Sequence, residues 1–210
     1  RLLARLEAWA KDDSAPWPSD PVLRLSLRRS MPEWFVRALL DEYGTEAESL
    51  AAALNERAPT AVRANTLLVT REEARKRLSA EGVASVPGRW APHALVLETR
   101  TNVPGLDTWK LGAIEVQDEG SQCIAAIAKV EPGMLVVDAC AGAGGKTLAL
   151  AAGLANKGRI VACDVTPDRL EDVKPRARRA KVHVVETRVV PDGDAKKVKD
   201  LVGKADVVLV

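Results

Sequence analysis

The strongest structural signal in this chain is the sequence Val136-Val137-Asp138-Ala139-Cys140-Ala141-Gly142-Ala143-Gly144-Gly145-Lys146-Thr147. An apolar run ends here in an acid, and a glycine-rich segment then leads into a helical pattern that continues to Leu154. We therefore predict a buried β-strand, a tight loop and a helix N-terminus. This arrangement lets backbone amides approach a nucleotide closely.

Three nucleotide-binding patterns compete for this loop, and none fits perfectly. A phosphate-binding P-loop needs a glycine at position 140, where the chain has Cys140. The dinucleotide pattern G-x-G-x-x-G starts at Gly142 and Gly144 but meets Thr147 in place of its third glycine. The pattern acid-x-G-x-G-x-G lies under S-adenosylmethionine in Rossmann-like methyltransferases. It fits from Asp138 onwards, with only Cys140 out of place.

A second acid, Asp164, narrows the choice among these nucleotide-binding patterns. A short apolar segment after Gly158 ends in Asp164, 20 residues after Gly144. A carboxylate at the end of the second strand of such a unit accepts hydrogen bonds from ribose hydroxyls, and a P-loop enzyme has no need of it. The alternative role, capping the next helix, suits Thr166 better because Pro167 follows it. The two features favour an adenosine-type cofactor, either S-adenosylmethionine or NAD.

The loop from Asp138 to Thr147 closely resembles the cofactor loop of the Sun/Fmu-type RNA cytosine-C5 methyltransferases, which include 16S rRNA methyltransferase B-like proteins. Further segments resemble the signatures of this family: Met31-Pro32-Glu33-Trp34, Glu42-Tyr43-Gly44, Val62-Arg63-Ala64-Asn65-Thr66 and Val116-Gln117-Asp118-Glu119-Gly120-Ser121-Gln122. The resemblance implies an S-adenosylmethionine-dependent enzyme that forms 5-methylcytosine in RNA, with rRNA a better expectation than tRNA. The family also has a cysteine at the position of Cys140, whereas many members have proline at the position of Ala143.

The resemblance also implies a set of cofactor-binding residues: Cys140, Ala141, Gly142, Ala143, Gly144, Gly145, Lys146, Asp164, Arg169 and Asp194. Asp194 is assigned from the Gly-Asp pair that follows the third strand in the family, with Asp192 as the second choice, although such a run is also a good turn. For Arg169, the alternative of an exposed helical arginine is preferred. The charge of Lys146 opposes the helix dipole, which is easier to understand if it faces the methionine carboxylate or RNA.

No catalytic nucleophile is predicted within the chain. In the resembled family one cysteine attacks C6 of cytosine and another assists product release, and both follow the strand predicted over 206–210. We therefore expect the chain to stop before them, at Val210. Cys123 and Cys163 lie in apolar patterns and Cys140 lies in the loop, so packing roles are expected for all three. No C-x-x-C pair exists, and we expect no metal site.

Composition indicates an ordinary globular protein, with 47% hydrophobic residues and a net charge of +2. Two basic groups fit either phosphate contacts or solvated helix faces: Lys174, Arg176, Arg178, Arg179 and Lys181, and Arg71, Arg75, Lys76 and Arg77. Three scattered cysteines, with no signal peptide and no long apolar run, indicate a reducing, cytoplasmic setting without a membrane. We expect a monomer.

Three segments are expected along the chain. Residues 1–29 form a helical pattern (Leu2 to Trp9) and a linker that ends at Pro21. Residues 30–113 form a helical plus small α+β RNA-binding module that resembles an RNA-recognition fold. Residues 114–210 form the first part of an S-adenosylmethionine-binding domain with a parallel, Rossmann-like α/β sheet. Capping boxes at Ser30–Glu33, Thr45–Glu48 and Thr70–Glu73 predict three helices in the module.

Other elements are expected from local patterns. Alternation from Arg63 to Val69 predicts a strand, on which Arg63 and Asn65 either help to hold RNA or simply face solvent. In the Rossmann-like domain, we expect a helix over 167–180 that Pro175 kinks, followed by a strand over 182–186.

Two other functions remain open on the sequence. An NAD-dependent oxidoreductase is disfavoured by Thr147 at the third glycine position of its pattern. An RNA-binding or assembly factor without catalysis is the candidate from a different class. A natural protein of about the 22.5 kDa calculated for this chain would favour that factor, and a much larger one would exclude it.

Overall fold

The computed structural model describes residues 16–192 and 194–210, and the chain divides into two compact units, residues 1–58 and 59–210. The described part of the first unit contains α1 (Pro21–Arg29), α2 (Glu33–Tyr43), a 3-10 turn (Gly44–Glu46) and α3 (Ala47–Leu54). These helices share a small apolar core: Val22, Leu25, Val36, Leu39, Ala47 and Ala51. The helical pattern predicted from Leu2 to Trp9 lies outside the described residues.

The helices of the first unit begin differently from the prediction. Helix α1, which we did not predict, starts where the expected linker ends, and the Asp20 carboxylate caps it by accepting a bond from the Leu23 amide. Ser30 ends α1 in a left-handed conformation (φ 51°), so it cannot open α2. Neither α2 nor α3 has a side-chain cap. The capping boxes predicted at Ser30 and Thr45 are therefore wrong, because the pattern does not fix the backbone conformation that a cap requires.

The second unit begins with a β-α-β-β-α-β segment. Its elements are β1 (Thr60–Ala64), α4 (Arg71–Ala80), β2 (Ser85–Pro87), β3 (Ala94–Leu97), α5 (Asp107–Lys110) and β4 (Ile114–Val116). The strands pair antiparallel in the order β2-β3-β1-β4, which is a ferredoxin-like arrangement. The capping box predicted at Thr70 is confirmed, since its side chain and that of Glu73 cap each other's backbone amides.

Strand β4 belongs to this first sheet, because it pairs with β1 and places Arg63 opposite Glu115. The boundary predicted between residues 113 and 114 would have separated the two strands. The strand predicted from Arg63 to Val69 is also shifted, since β1 ends at Ala64. One face of the sheet is apolar and includes Val62 and Ile114. The neighbouring residues, Arg63 on β1 and Glu115 on β4, are polar and are also buried.

The second sheet follows in the same unit. Its elements are α6 (Glu119–Ile127), β5 (Leu135–Asp138), α7 (Gly145–Gly153), β6 (Arg159–Asp164), α8 (Pro167–Glu171), α9 (Val173–Arg179), β7 (Val185–Val189), a 3-10 segment (Ala195–Leu201) and β8 (Val207–Leu209). The strands are parallel in the order β7-β6-β5-β8, which confirms the predicted Rossmann-like sheet. The order reverses between β5 and β8, and doubly wound sheets bind their ligands at such a switch point.

The helix predicted over 167–180 is divided at Asp172 into α8 and α9. Pro175 explains the division, because its ring excludes a regular helix against the carbonyl group four residues earlier. Helix α9 is followed by Lys181 with φ 58°, a conformation that glycine adopts more readily. The next strand starts at Val185, later than the predicted 182–186. No helix among the described residues is long and apolar enough to cross a membrane.

Candidate cofactor-binding site

The glycine-rich loop connects β5 to α7 and leaves open space beside its backbone. Gly142 (φ 52°) and Gly144 (φ 82°) adopt left-handed conformations. A Cβ atom at Gly144 would lie 3.1 Å from Val173 Cγ2, so glycine also permits α9 to pack closely there. At Gly142 and Gly145, by contrast, a Cβ would meet nothing within 4 Å. The loop therefore has a packed side toward α9 and an open side on which a ligand can approach its backbone.

Asp164 joins the loop to the end of β6. Its Oδ2 accepts a hydrogen bond from the Gly142 amide at 2.8 Å, and its Oδ1 accepts one from the Thr166 amide at 2.8 Å. Thr166 forms no side-chain cap on α8, so the capping role that we predicted for Thr166 is wrong. The Thr166 amide, the Gly142 amide and the charge of Arg169 hold the pKa of Asp164 below its ordinary value. The ionised carboxylate retains lone pairs for further donors.

Asp138 lies at the end of β5 and is turned inward. It is buried, and one carboxylate oxygen accepts a hydrogen bond of 2.7 Å from the Thr147 hydroxyl. Burial raises the pKa of Asp138, while the Thr147 hydroxyl and the charge of Lys146 act in the opposite direction. Thr147, which breaks the dinucleotide pattern, therefore serves as the partner of this acid. The pair fixes the first turn of α7 to the end of β5.

A cavity of about 470 Å³ opens at the carboxyl ends of β5, β6 and β7, and reaches the start of the loop at Ala139. Ala139, Cys163 and Val165 line it from the strand ends, and Asp192 and Asp194 line it from the segment after β7. Ligand cavities typically combine apolar walls with a few polar groups in this way. Asp194 and its second choice Asp192 thus reach the same cavity, while Gly193 lies outside the described residues.

The other predicted cofactor residues occupy different positions around the loop. The buried Ala141 donates its amide to the Cys163 carbonyl at 2.8 Å, which ties the loop backbone to β6. Lys146 is half-buried in the first turn of α7, and Cys140 is exposed. Arg169 is exposed on α8, and its influence on this site is through its charge on Asp164. Their assignment to the cofactor stays a prediction.

The three cysteines differ in exposure. Cys140 is exposed, Cys123 is half-buried and Cys163 is buried. Burial also raises the pKa of the Cys163 thiol. Within residues 16–192 and 194–210, no group of three or more His, Cys, Asp or Glu side chains is placed to hold a metal ion. The nucleophile expected beyond Val210 stays a prediction.

Two residues that we had considered for RNA contact are buried between the two sheets. Arg63 is 5% exposed, and its Nε donates to Gln117 Oε1 at 2.7 Å. Burial lowers the pKa of Arg63 to about 10. Asn65 is 2% exposed and donates to the Gly112 and Ala180 carbonyls at 2.9 and 2.8 Å. The alternation of β1 indicated a solvent-facing side, but that side packs against the second sheet's helices.

Comparison with known families identifies both parts of this architecture. The family model described as RsmF/B-like methyltransferase, ferredoxin-like domain, matches residues 31–104, and the model described as 16S rRNA methyltransferase RsmB/F matches residues 125–210. The chain belongs to the RsmB/F methyltransferase family. The expected Sun/Fmu-type membership is thereby confirmed, as is a ferredoxin-like domain ahead of a Rossmann-like one.

Individual relatives agree with this RsmB/F assignment. The probable ribosomal RNA small subunit methyltransferase B of Bacillus subtilis (strain 168) is 30% identical over 179 residues, which cover 85% of this chain and 39% of the relative. The chain thus spans about two fifths of the length of the curated relatives that it matches. The crystal structure of a methyltransferase homolog protein from Pyrococcus horikoshii is 26% identical, with a TM-score of 0.79 over 92% of this chain and 63% of that one.

A third comparison concerns the fold alone. The crystal structure of NSun6 from Pyrococcus horikoshii with SFG has a TM-score of 0.72 to this chain and is 19% identical. The alignment covers 85% of this chain and 70% of NSun6. The fold of this RsmB/F member is therefore shared by a protein of low sequence identity.

Proposed function

We propose that this chain supplies the cofactor-binding part and an RNA-binding module of a methyltransferase that uses S-adenosylmethionine to form 5-methylcytosine in RNA. The observation that carries the proposal is the position of Asp164. This acid lies at the end of β6 and is bonded to the Gly142 amide, and its chain neighbours Cys163 and Val165 line a cavity at the strand ends. A carboxylate in that place is the group that binds a ribose in nucleotide-binding sheets of this type.

The chain's residues fit S-adenosylmethionine in three places. Asp164 would accept hydrogen bonds from the ribose hydroxyls with its remaining lone pairs. The apolar cavity that ends in Asp194 would hold the adenine ring. Lys146 and the first amides of α7 would bind the methionine carboxylate, since the start of a helix favours anions. The cofactor supplies the methyl group, and these residues hold it in one orientation at the open side of the loop.

RNA is the proposed partner, and rRNA is preferred to tRNA because the curated relatives are named ribosomal RNA small subunit methyltransferases. Exposed basic side chains on α9 and just after it provide positions for phosphates: Lys174, Arg178 and Lys181. A monomer in the cytoplasm, acting without a metal ion, completes the proposal. The nucleophilic cysteine is expected in residues after Val210.

The direct test uses the longest natural protein that contains these residues. It would be incubated with small-subunit rRNA, tRNA and S-adenosylmethionine carrying a labelled methyl group, and the nucleosides would be separated by mass spectrometry. We expect label in 5-methylcytosine from rRNA and its loss in an Asp164→Ala variant. Label in any other nucleoside would contradict the proposal. Tight RNA binding without methyl transfer would favour the non-catalytic assembly factor.

A further inference from the structure

Helix α9 contacts the ferredoxin-like sheet through a buried ion-pair cluster. Glu115 lies on β4, and its side chain is 3% exposed. One carboxylate oxygen accepts a bond from Arg176 Nη2 at 3.1 Å, and the other pairs with Arg179. A carboxylate so deeply buried needs such partners, because an unpaired charge there would be strongly destabilising. The sequence placed both arginines in a basic run that fits either phosphate contacts or a solvated helix face, but both pair with Glu115 inside the protein.

The same helix contacts the cofactor loop. Arg176 uses its second terminal nitrogen, Nη1, to donate to the Ala143 carbonyl at 2.6 Å. One turn earlier, Val173 packs against Gly144, where a Cβ atom would lie 3.1 Å away. Two consecutive loop residues are thus held by α9. Arg176 is the side chain that contacts both the loop and Glu115.

The carboxyl-terminal end of α9 contacts the ferredoxin-like segment through residues that do not touch the loop. The Arg179 guanidinium lies over the Trp109 ring, 3.6 Å from its centroid. Asn65 donates to the Ala180 carbonyl at 2.8 Å. Arg176 and Arg179 therefore share one carboxylate partner and one helix, but differ in whether they also hold the loop. This difference permits a matched comparison.

We propose that Arg176 is a positioning residue of the cofactor site and that Glu115, a residue of the ferredoxin-like sheet, holds it in place. A planar guanidinium binds the Ala143 carbonyl and the Glu115 carboxylate through two nitrogens at a fixed spacing, which the single nitrogen of a lysine cannot reproduce. The affinity of the loop for S-adenosylmethionine thus depends on a side chain of the ferredoxin-like sheet. This inference rests on the proposed function for the identity of the ligand, but not for the geometry of the loop.

The test compares Arg176→Lys with Arg179→Lys in the full chain. Both variants keep the charge and weaken the pairing with Glu115, but only Arg176→Lys also removes the bond to Ala143. Hydrogen exchange would be followed at the bonded amides of Ala141, Gly142 and Gly144, with the α4 amides as a reference. The dissociation constant for S-adenosylmethionine would be measured by calorimetry, and the thermal midpoint of each variant would be recorded.

We expect Arg176→Lys to speed exchange at the loop amides relative to α4 and to weaken S-adenosylmethionine binding about tenfold, the effect of one hydrogen bond from a charged donor. Arg179→Lys should lower the thermal midpoint and leave loop exchange close to that of the wild type. Equal loop exchange in the two variants would overturn the inference. Failure of the wild type to bind S-adenosylmethionine would contradict the proposed function, and the exchange comparison would still decide whether Arg176 positions the loop.

Discussion

The Gly142 amide donates a hydrogen bond to Asp164, with 2.8 Å between its nitrogen and Oδ2. The acid proposed to bind the ribose therefore also fixes the loop proposed to lie under the cofactor. Two strand ends are joined in this way, because the loop follows β5 and Asp164 ends β6. Loss of this carboxylate should affect the stability of the empty protein as well as its affinity for ligand.

Replacement of Asp164 by Asn should lower the free energy of unfolding in a pH-dependent manner. The folded-state pKa of Asp164 is lowered, so its stabilisation is complete above the unfolded-state pKa of about 3.9 and is lost as the pH falls through the lower folded-state value. Denaturant unfolding should show a difference from wild type that shrinks as the pH falls below about 4. Asp168→Asn, an exposed acid on α8, should change stability by less than about 0.5 kcal/mol at neutral pH. A pH-independent loss in Asp164→Asn would contradict the assigned role.

Replacement of Thr147 by Val should destabilise the protein by about 1–3 kcal/mol, because the buried Asp138 loses its hydroxyl donor. The lost bond favours the ionised form, so the folded-state pKa of Asp138 should rise further. The destabilisation should therefore increase with pH as Asp138 ionises. Thr147→Ser keeps the hydroxyl and should stay near the wild type. A Val variant as stable as the wild type at neutral pH would contradict the role assigned to the Thr147 hydroxyl.

Gly112→Ala should be far more destabilising than Gly82→Ala, although both glycines have nearly the same backbone conformation, φ 77° and 76°. At Gly82 the added Cβ meets nothing within 4 Å, so only left-handed strain of about 1–2 kcal/mol is expected. At Gly112 the Cβ would overlap the carbonyl of Arg179, forcing the first sheet away from α9. Thermal unfolding of the two variants measures the difference. Similar midpoints would mean that the sheet and α9 are not tightly packed there.

The rate of thiol labelling should differ between Cys140 and Cys163. Cys140 is exposed on the loop, whereas Cys163 is buried and burial raises its thiol pKa, so a maleimide should modify Cys140 first. Bound S-adenosylmethionine should slow this reaction by covering the loop. Peptide mass spectrometry after timed labelling gives both rates. A Cys140 rate that is unaffected by saturating ligand would place the cofactor away from the loop.

The features predicted most accurately from the sequence are those that depend on residues close together in the chain. The apolar run before Asp138, the glycine loop and the acid at Asp164 all lie where the local pattern placed them, because strand, turn and helix signals are local. The capping box predicted at Thr70 is present in the structure for the same reason. The break between α8 and α9 also followed from a local cause, Pro175.

Features set by distant parts of the chain were predicted less well. No strand was predicted at Ile114–Val116, since the pairing of β4 with β1 depends on residues far away in the sequence. Arg63 and Asn65 resembled solvent-facing strand residues, and the helices that bury them could not be foreseen from β1 alone. Arg176 likewise belonged to a basic run, and only its distances to Glu115 and Ala143 indicate its role.

Calorimetric titration with S-adenosylmethionine, NAD and ATP, for the wild type and Asp164→Ala, tests the cofactor assignment most directly. Our account predicts that the wild type binds S-adenosylmethionine selectively and that the variant, with an unchanged circular dichroism spectrum, binds it at least about tenfold more weakly. Clear binding of NAD with no response to S-adenosylmethionine would contradict the account. Undiminished S-adenosylmethionine binding by the variant would remove Asp164 from the site.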